Sequence, residues 1–153
     1  MFHEDDLDGD VGSPDVRVLK QVSEAFLKLD GLVDEASTGL NDLIDPQELH
    51  VHFDDGIGDA EWARFDVRWY RSGCYSFHHI DSEGVNFRWD CHPKDGAPRR
   101  HFHPVPDAPS NDAEESCIEE REPKVVARAV HKLWRRAYEE GSLKHLNKAE
   151  NPP

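Results

Sequence analysis

The chain has 153 residues, 33% of them charged, and a formal net charge of −14. A chain of this length is most simply one domain with a modest hydrophobic core. No apolar run approaches the roughly 20 residues that a membrane-spanning helix needs, and the N-terminus does not resemble a signal peptide. The 3 cysteines are an odd number without metal-binding spacing, so we expect reduced thiols in a cytoplasmic protein rather than a disulfide framework.

The excess of acidic side chains predicts a halophilic protein, adapted to a cytoplasm rich in salt. Carboxylates keep a surface hydrated, and their mutual repulsion is screened within about 3 Å at 1 M ionic strength. The charge is uneven: residues 1–60 have a net charge of −13, residues 61–104 a net charge of +1 with 5 histidines, and residues 105–153 a net charge of −2. In an acidic chain, this neutral-to-basic segment indicates a surface that meets an anionic partner.

Two helices are predicted, one near each end of the chain. Residues 1–12 are acidic and contain glycine, which predicts a disordered N-terminus. A Ser-Pro pair followed by apolar residues at helical spacing predicts a helix over residues 13–30. Proline opens a second helix over residues 123–140, which stops at the glycine that follows. Residues 13–140 would then form one α+β domain, and residues 141–153 a short polar tail.

Four strands are predicted between the helices, with a fifth short edge strand at Ser116–Ile118. Glu48–Phe53 alternates apolar and polar residues, as a half-buried strand does. Tight turns containing glycine separate three further runs of alternating residues. These runs are Arg64–Tyr70, Cys74–Ile80 and Val85–Cys91. The segment Glu35–Asp45 is expected to be a loop. The sequence therefore predicts an α+β fold with a mostly antiparallel sheet of four or five strands, packed by the two helices.

The three central strands are predicted to have one apolar and one polar face, because side chains alternate along a strand. The apolar face contains Phe65, Val67, Trp69, Tyr75, Phe77, Val85, Phe87 and Trp89. The polar face contains Arg64, Asp66, Arg68, Tyr70, Ser76, His78, Asn86, Arg88, Asp90 and His92. We expect the helices to cover the apolar face. The polar face is then either a solvated surface with cross-strand ion pairs, worth roughly 0.2–1 kcal/mol each, or a functional site.

The polar face has the groups needed to cleave RNA without a metal or other cofactor. A base takes the proton of the 2′-hydroxyl, an acid protonates the leaving oxygen, and a cation stabilises the charged phosphorane. We assign phosphate binding to Arg68 and Arg88, proton transfer to His78 and His92, and orientation of a histidine to Asp90. The candidate catalytic residues are Arg88, His92, Asp90, His78, Arg68 and Tyr70. The candidate substrate-binding residues, at the edge of the site, are Arg99, Arg100, His101 and His103.

A metal site is the alternative interpretation of the same histidines. In an extended segment His101 and His103 point the same way, and Cys91 or His92 would supply further ligands for a zinc ion. A metal-dependent enzyme would then use these four residues. The main alternative to both kinds of enzyme is a non-catalytic module that binds or regulates a DNA-binding protein through the polar face.

One family shares this arrangement of residues. Its pattern includes Tyr75-Ser76-Phe77-His78, Asp81, Gly84, Phe87-Arg88-Trp89-Asp90, His92-Pro93 and the pair His101 and His103. On these residues the chain resembles the TumE-type toxin components of prokaryotic toxin–antitoxin pairs, from about Arg68 to Pro104. The resemblance implies a cognate antitoxin that binds DNA, and RNA as the target of the toxin. The resemblance does not imply that the protein binds a membrane.

Overall fold

A seven-stranded sheet and two helices make up the described part of the fold. The computed structural model describes residues 12–37, 48–92, 99–109 and 113–148. Of the N-terminus that was expected to be disordered, only residue 12 is described. Of the polar tail, residues 141–148 are described and the rest lies outside the described residues. No helix among the described residues is long and apolar enough to cross a membrane.

The strands are neighbours in the sheet in the order in which they occur in the chain, and every pairing between them is antiparallel. The strands are β1 (Val33–Ser37), β2 (Leu49–Phe53), β3 (Ala63–Trp69), β4 (Tyr75–Asp81), β5 (Asn86–Cys91), β6 (Arg100–His103) and β7 (Glu114–Glu115). The four predicted strands correspond to β2–β5, and their bounds agree to within one residue. The predicted α+β fold with an antiparallel sheet is confirmed.

The number of strands was predicted wrongly, because the two edges of the sheet extend further than the sequence indicates. The segment Glu35–Asp45 was expected to be a loop, but its first three residues belong to β1. The expected edge strand at Ser116–Ile118 lies instead at Glu114–Glu115, and Ile118 is buried in the core outside any strand. Such strands are defined by backbone pairing with a neighbour, so their own sequences need not alternate.

Helix α1 (Val16–Leu29) begins three residues later than predicted. Asp15 is its N-cap, and the side chain of Asp15 accepts a hydrogen bond from the backbone N–H of Val18 at 3.1 Å. Helix α2 (Pro123–Glu140) has the predicted bounds. It ends at Gly141, whose φ of 66° places it in the left-handed region that favours glycine.

Both helices pack on the predicted apolar face, here called the inner face. The ring centroid of Phe26 in α1 lies 6.2 Å from that of Phe53, 6.0 Å from that of Phe65 and 6.4 Å from that of Phe77. Trp134 of α2 lies closer to Phe53, at 4.3 Å. Burial of such large apolar groups is the main source of stability in a fold of this size. The opposite face, here called the outer face, is therefore left without a covering helix at these positions.

Candidate functional site

The register of the strands places most of the predicted catalytic residues in two neighbouring rows across the outer face. One row consists of Arg68, Ser76, Asp90 and His101, and the next of Asp66, His78, Arg88 and His103. Neighbouring strands lie about 4.7–4.9 Å apart, so adjacent members of a row can be in contact. The alternation of side chains along the strands, which the sequence predicts, is the reason that these groups share a face.

Asp90 is at the centre of the densest group of polar side chains on this face. Its Oδ2 atom accepts a hydrogen bond from Nε of Arg88 at 2.7 Å. The Nε2 atoms of His92 and His101 each lie 3.5 Å from the same oxygen, and Nε2 of His103 lies 3.4 Å from it. These five residues are called the Asp90 cluster below. A carboxylate surrounded by one guanidinium and three imidazoles is an arrangement typical of functional sites.

The members of the Asp90 cluster differ in their access to solvent. Asp90 is 2% exposed, and His101 and His103 are fully buried. The side chains of Arg88 and His92 are 28% and 22% exposed. Arg88 and His92 are therefore the members of the cluster that a large substrate can reach. The sequence places His101 and His103 at the edge of the site, whereas the structure buries them at its centre, beneath the more exposed pair.

The carboxyl group of Asp90 is ionised in this environment. Burial by itself raises a carboxyl pKa, but the three imidazoles of His101, His103 and His92, which lie 3.4–3.5 Å from Oδ2, together with the positive charge of Arg88, hold the pKa of Asp90 well below its usual range. The cluster therefore keeps a negative charge in a buried position, where it fixes the groups around it.

The orientation of His103 is set by the segment that follows β6. Its Nδ1 atom lies 2.9 Å from the backbone carbonyl oxygen of Pro109. A carbonyl oxygen only accepts hydrogen bonds, so Nδ1 has the proton and donates it. This leaves Nε2 directed at Asp90. Neither Nε2 of His103 nor Oδ1 of Asp90 has a hydrogen-bond partner within the described residues, although both atoms are buried.

His78 lies next to the Asp90 cluster and the other candidate catalytic residues lie outside it. His78 is the cross-strand neighbour of Arg88, and its Nε2 atom is 3.2 Å from Oδ1 of Asn86. Arg68 is separated from Asp90 by the whole width of β4, and its Nε donates to Glu48 at 2.8 Å. Tyr70 follows β3 at the turn into β4, where its backbone N–H donates to the carbonyl of Cys74. The structure thus brings His78 near the site and leaves Arg68 and Tyr70 apart.

The two arginines that were predicted to bind substrate line a separate groove. Arg100 pairs with Cys91 and, by alternation, shares the inner face with it. Arg99 has its Nη2 atom 3.9 Å from Sγ of Cys74. The groove is lined by Arg99, Arg100, Glu115, Ser116, Ile118, Glu119 and Arg121. These two arginines therefore do not belong to the Asp90 cluster.

The structure separates Cys91 from the two histidines of β6 with which it was grouped as a possible metal ligand. Cys91 is buried in the hydrophobic core on the inner face, so its thiol faces away from His101 and His103. Asp90, and not Cys91, lies beside the two histidines. One ligand atom each from Asp90, His101 and His103 lies within 4.8 Å of the other two. The signal was present in the sequence, because Asp90 with His92 and His101 with His103 are spaced by two and share a face.

The part of the outer face on β2 and β3 consists of ion pairs. Asp66 accepts a hydrogen bond from Nε of Arg64 at 2.7 Å, and Nδ1 of His50 lies 2.8 Å from the same carboxylate. Arg68 pairs with Glu48. The side chains of Arg64 and Arg68 are 36% and 47% exposed, and exposed pairs of this kind contribute about 0–1 kcal/mol each. The outer face is thus divided between a partly exposed network of ion pairs and the more deeply buried Asp90 cluster.

A comparison with protein families identifies the family to which the chain belongs by a match that spans most of the fold. The family model described as Toxin TumE matches residues 24–140, which is more than half of the 153 residues. The match begins within α1 and ends at the last residue of α2, so it includes every strand and the whole Asp90 cluster. No curated protein and no solved structure matches the chain.

Proposed function

The chain belongs to the Toxin TumE family, and we propose that this toxin acts on RNA through the Asp90 cluster. The observation that supports this proposal is the convergence of Arg88 and His92 on the buried, ionised carboxylate of Asp90 at a face that the helices do not cover. A rigid sheet that fixes a cation beside an imidazole is suited to a substrate with a reactive, negatively charged phosphodiester.

The contacts of Arg88 suit it to bind phosphate. Its Nε donates to Asp90, which fixes the plane of the guanidinium; among the described residues no hydrogen bond is made by its two terminal amino groups, which can therefore bind phosphate oxygens. Such a cation stabilises the charge that develops on phosphorus when a phosphodiester is attacked. We therefore assign contact with the scissile phosphate to Arg88.

His92 is the imidazole of the Asp90 cluster that can reach this phosphate. Its side chain is 22% exposed, whereas those of His101 and His103 are fully buried. Proton transfer by a positioned side chain typically accelerates a reaction by about 10²–10⁴-fold. We assign proton transfer to His92 and its orientation to Asp90, with His78 as a neighbour of the phosphate-binding arginine.

The charge distribution of the chain also supports an RNA target. Residues 61–104 have a net charge of +1 in a chain whose total is −14, and this segment contains all of the Asp90 cluster. An anionic polymer is repelled less by this surface than by the rest of the molecule. The antitoxin that a toxin family implies would act by binding the same face, and we propose that this antitoxin is a DNA-binding protein.

Expression of the toxin with and without the product of the neighbouring open reading frame tests the proposal. We expect wild-type protein to cut cellular RNA when expressed alone, and co-expression of the antitoxin to prevent the cleavage. The double variant Arg88→Ala/His92→Ala should leave RNA intact, as seen on sequencing of RNA ends. Arg64→Ala is the matched control, because Arg64 lies on the same face in an ion pair with Asp66.

Two results would contradict the proposal. Cleavage of RNA by the double variant at the wild-type rate would remove the catalytic assignments. Growth arrest by the wild-type protein with intact RNA would favour a non-catalytic toxin that uses the outer face to bind another macromolecule. Circular dichroism of each purified variant would establish that a loss of cleavage is not a loss of folding.

A further inference from the structure

The three most deeply buried members of the Asp90 cluster are residue types that bind metal ions. We propose that Asp90, His101 and His103 bind one divalent transition-metal ion of the Zn²⁺ type. Two imidazoles and one carboxylate, with a further position left for water or substrate, are a ligand set found in catalytic zinc and other first-row metal sites. One ligand atom from each of the three residues lies within 4.8 Å of the other two.

The distances between these atoms suit ligands of a shared metal better than partners in hydrogen bonds. Nε2 of His101 and of His103 lie 3.5 and 3.4 Å from Oδ2 of Asp90. Charge-assisted N–H···O bonds are about 2.7–2.9 Å long. Ligands placed at about 2.0–2.1 Å from a tetrahedral ion are, by geometry, separated by about 3.3–3.4 Å. The observed separations are close to those of two ligands on one ion.

Another buried histidine–aspartate pair in the same protein shows the contrast. Nε2 of His131 lies 2.8 Å from Oδ2 of Asp30, where an ordinary hydrogen bond joins α1 and α2. The side chains of this pair are 9% and 4% exposed, so burial alone does not lengthen such a contact. The separations around Asp90 are longer, and they occur where β6 directs two buried imidazoles at one carboxylate of β5.

The contacts of His103 are those of a metal ligand. Its Nδ1–H donates to the carbonyl of Pro109, and histidines that bind metals almost always donate the second ring N–H to a carbonyl or carboxylate. Nε2 of the same ring is directed at Asp90, and it is the atom that would bind the ion once it gives up any proton.

The carboxylate of Asp90 is also held as ligating carboxylates are. Nε of Arg88 donates to its Oδ2 at 2.7 Å and fixes its orientation. Oδ1 of Asp90 is buried and has no hydrogen-bond partner within the described residues. His92 lies on the more exposed side, with its Nε2 3.5 Å from Oδ2 of Asp90. An ion in this position would therefore be reached from the side of Arg88 and His92, where we place the phosphate.

The group formed by Glu48, His50 and Asp66 is a matched comparison within the same sheet. Its ligand atoms also lie within 4.8 Å of one another. However, Nδ1 of His50 is 2.8 Å from Asp66, a normal hydrogen-bond distance, and the His50 side chain is 37% exposed. Asp66 is further occupied by Arg64. Although Nε2 of His50 also lies 3.4 Å from Glu48, this histidine is more exposed and already hydrogen-bonded to Asp66, so the group provides the control for the experiment below.

Metal binding by the purified full chain tests the inference without reference to RNA. After treatment with a chelator, the protein is titrated with Zn²⁺ by calorimetry and with Co²⁺ by visible absorption. We expect one equivalent to bind and Co²⁺ to show the intense absorption of four- or five-coordinate geometry. His103→Gln should weaken binding by more than the roughly 10–100-fold that is lost when a residue hydrogen-bonded to a metal ligand is removed. His50→Gln should bind as the wild type does.

Nuclear magnetic resonance of the wild-type protein keeps the test decisive if His103→Gln fails to fold. Addition of Zn²⁺ should shift the Nε2 resonances of His101 and His103 and leave those of His50 unchanged. The inference would be overturned if folded wild-type protein binds no Zn²⁺, if folded His103→Gln binds with wild-type affinity, or if the shifted resonances belong to other histidines.

The inference goes beyond the proposed function, because a metal could bind in a toxin with any target. It replaces the metal-free chemistry that the sequence predicts with chemistry in which the ion acts as a Lewis acid on a phosphoryl oxygen. The two proposals fail separately: a protein that binds Zn²⁺ but cuts no RNA would refute only the target, and cleavage by protein without bound metal would refute only the role of the ion in the reaction.

Discussion

Asp90 shows how much the function of one residue depends on its neighbours across a sheet. In the sequence it is one acidic residue among 32. In the structure it is 2% exposed, and it is surrounded by one arginine and three histidines from β5, β6 and the residue after β5. The carboxylate therefore organises the site, whichever chemistry the site performs.

Replacing this carboxylate by an amide of the same shape should be costly. In Asp90→Asn the charge that neutralises Arg88 is lost, and breaking a buried ion pair by removing one partner costs about 3–5 kcal/mol. Because Arg88 is 28% exposed, we expect a value near the lower end. Urea unfolding followed by circular dichroism measures the change in the free energy of unfolding.

The control for this prediction is Arg64→Ala, which breaks a pair whose arginine is 36% exposed. Its effect should be about 1 kcal/mol or less, as is usual for exposed pairs. If Asp90→Asn were as mild as Arg64→Ala, Asp90 would not be the centre of a tightly coupled cluster.

At the scale of secondary-structure elements, the contact between α1 and α2 depends on the carboxyl group of Asp30. Burial raises the pKa of Asp30, but hydrogen bonds from His131, the backbone of Leu32 and Arg135 outweigh this effect and lower the pKa below its ordinary value. Nε2 of His131 and Nη1 of Arg135 lie 2.8 and 3.0 Å from its oxygens. The ionised carboxylate of Asp30 thus stabilises the native state.

Because the pKa of Asp30 is lowered in the folded state, its contribution to the free energy of unfolding decreases at acidic pH. The contribution of Asp30 should be fully present above the unfolded pKa of about 3.9 and should be lost as the pH falls through the lower folded pKa. The difference in the free energy of unfolding between wild type and Asp30→Asn should shrink as the pH falls below about 4, where Asp30 becomes protonated. A difference that does not shrink in this range would show that the charged form of Asp30 is not the stabilising one.

The sequence predicts the elements that have their own periodicity. The strands β2–β5 alternate clearly, and the apolar stripe and terminal glycine of α2 define that helix, so these elements were predicted within one residue. Strands β1 and β6 were not predicted and β7 was misplaced, because their pairing is set by backbone bonds to neighbouring strands.

The candidate site could be predicted only in part, because local periodicity indicates the face of a residue but not which strands are neighbours. The shared face of Arg88, Asp90 and His92 follows from alternation along β5 and the residue after it. The burial of His101 and His103 follows from β6, whose position beside β5 is a long-range pairing that no local pattern indicates. The grouping of Cys91 with His92 failed because adjacent residues of a strand point to opposite faces.

At the scale of the whole molecule, the net charge of −14 sets the response to salt. Repulsion between carboxylates destabilises a compact acidic chain, and screening shortens its range from about 10 Å at 0.1 M to about 3 Å at 1 M ionic strength. We expect the melting temperature in KCl to rise between these concentrations. An equal or lower melting temperature at 1 M KCl would contradict the prediction that the acidic surface is an adaptation to salt.

The charge distribution also links the molecule to its proposed target. The Asp90 cluster lies in the segment of residues 61–104, which is the least acidic part of the chain. An anionic substrate should approach there, and the surrounding acidic surface should make this approach depend on ionic strength. The site and its electrostatic environment thus favour the same class of substrate.

Growth of cells after induction of the toxin without its antitoxin is the most direct test that the Asp90 cluster is the toxic site. Wild-type protein and the control variant Arg64→Ala should arrest growth, whereas Arg88→Ala/His92→Ala should allow growth at the rate of uninduced cells, with all three proteins present at equal levels. Growth arrest by the double variant equal to that of the wild type would place the toxic activity elsewhere in the molecule.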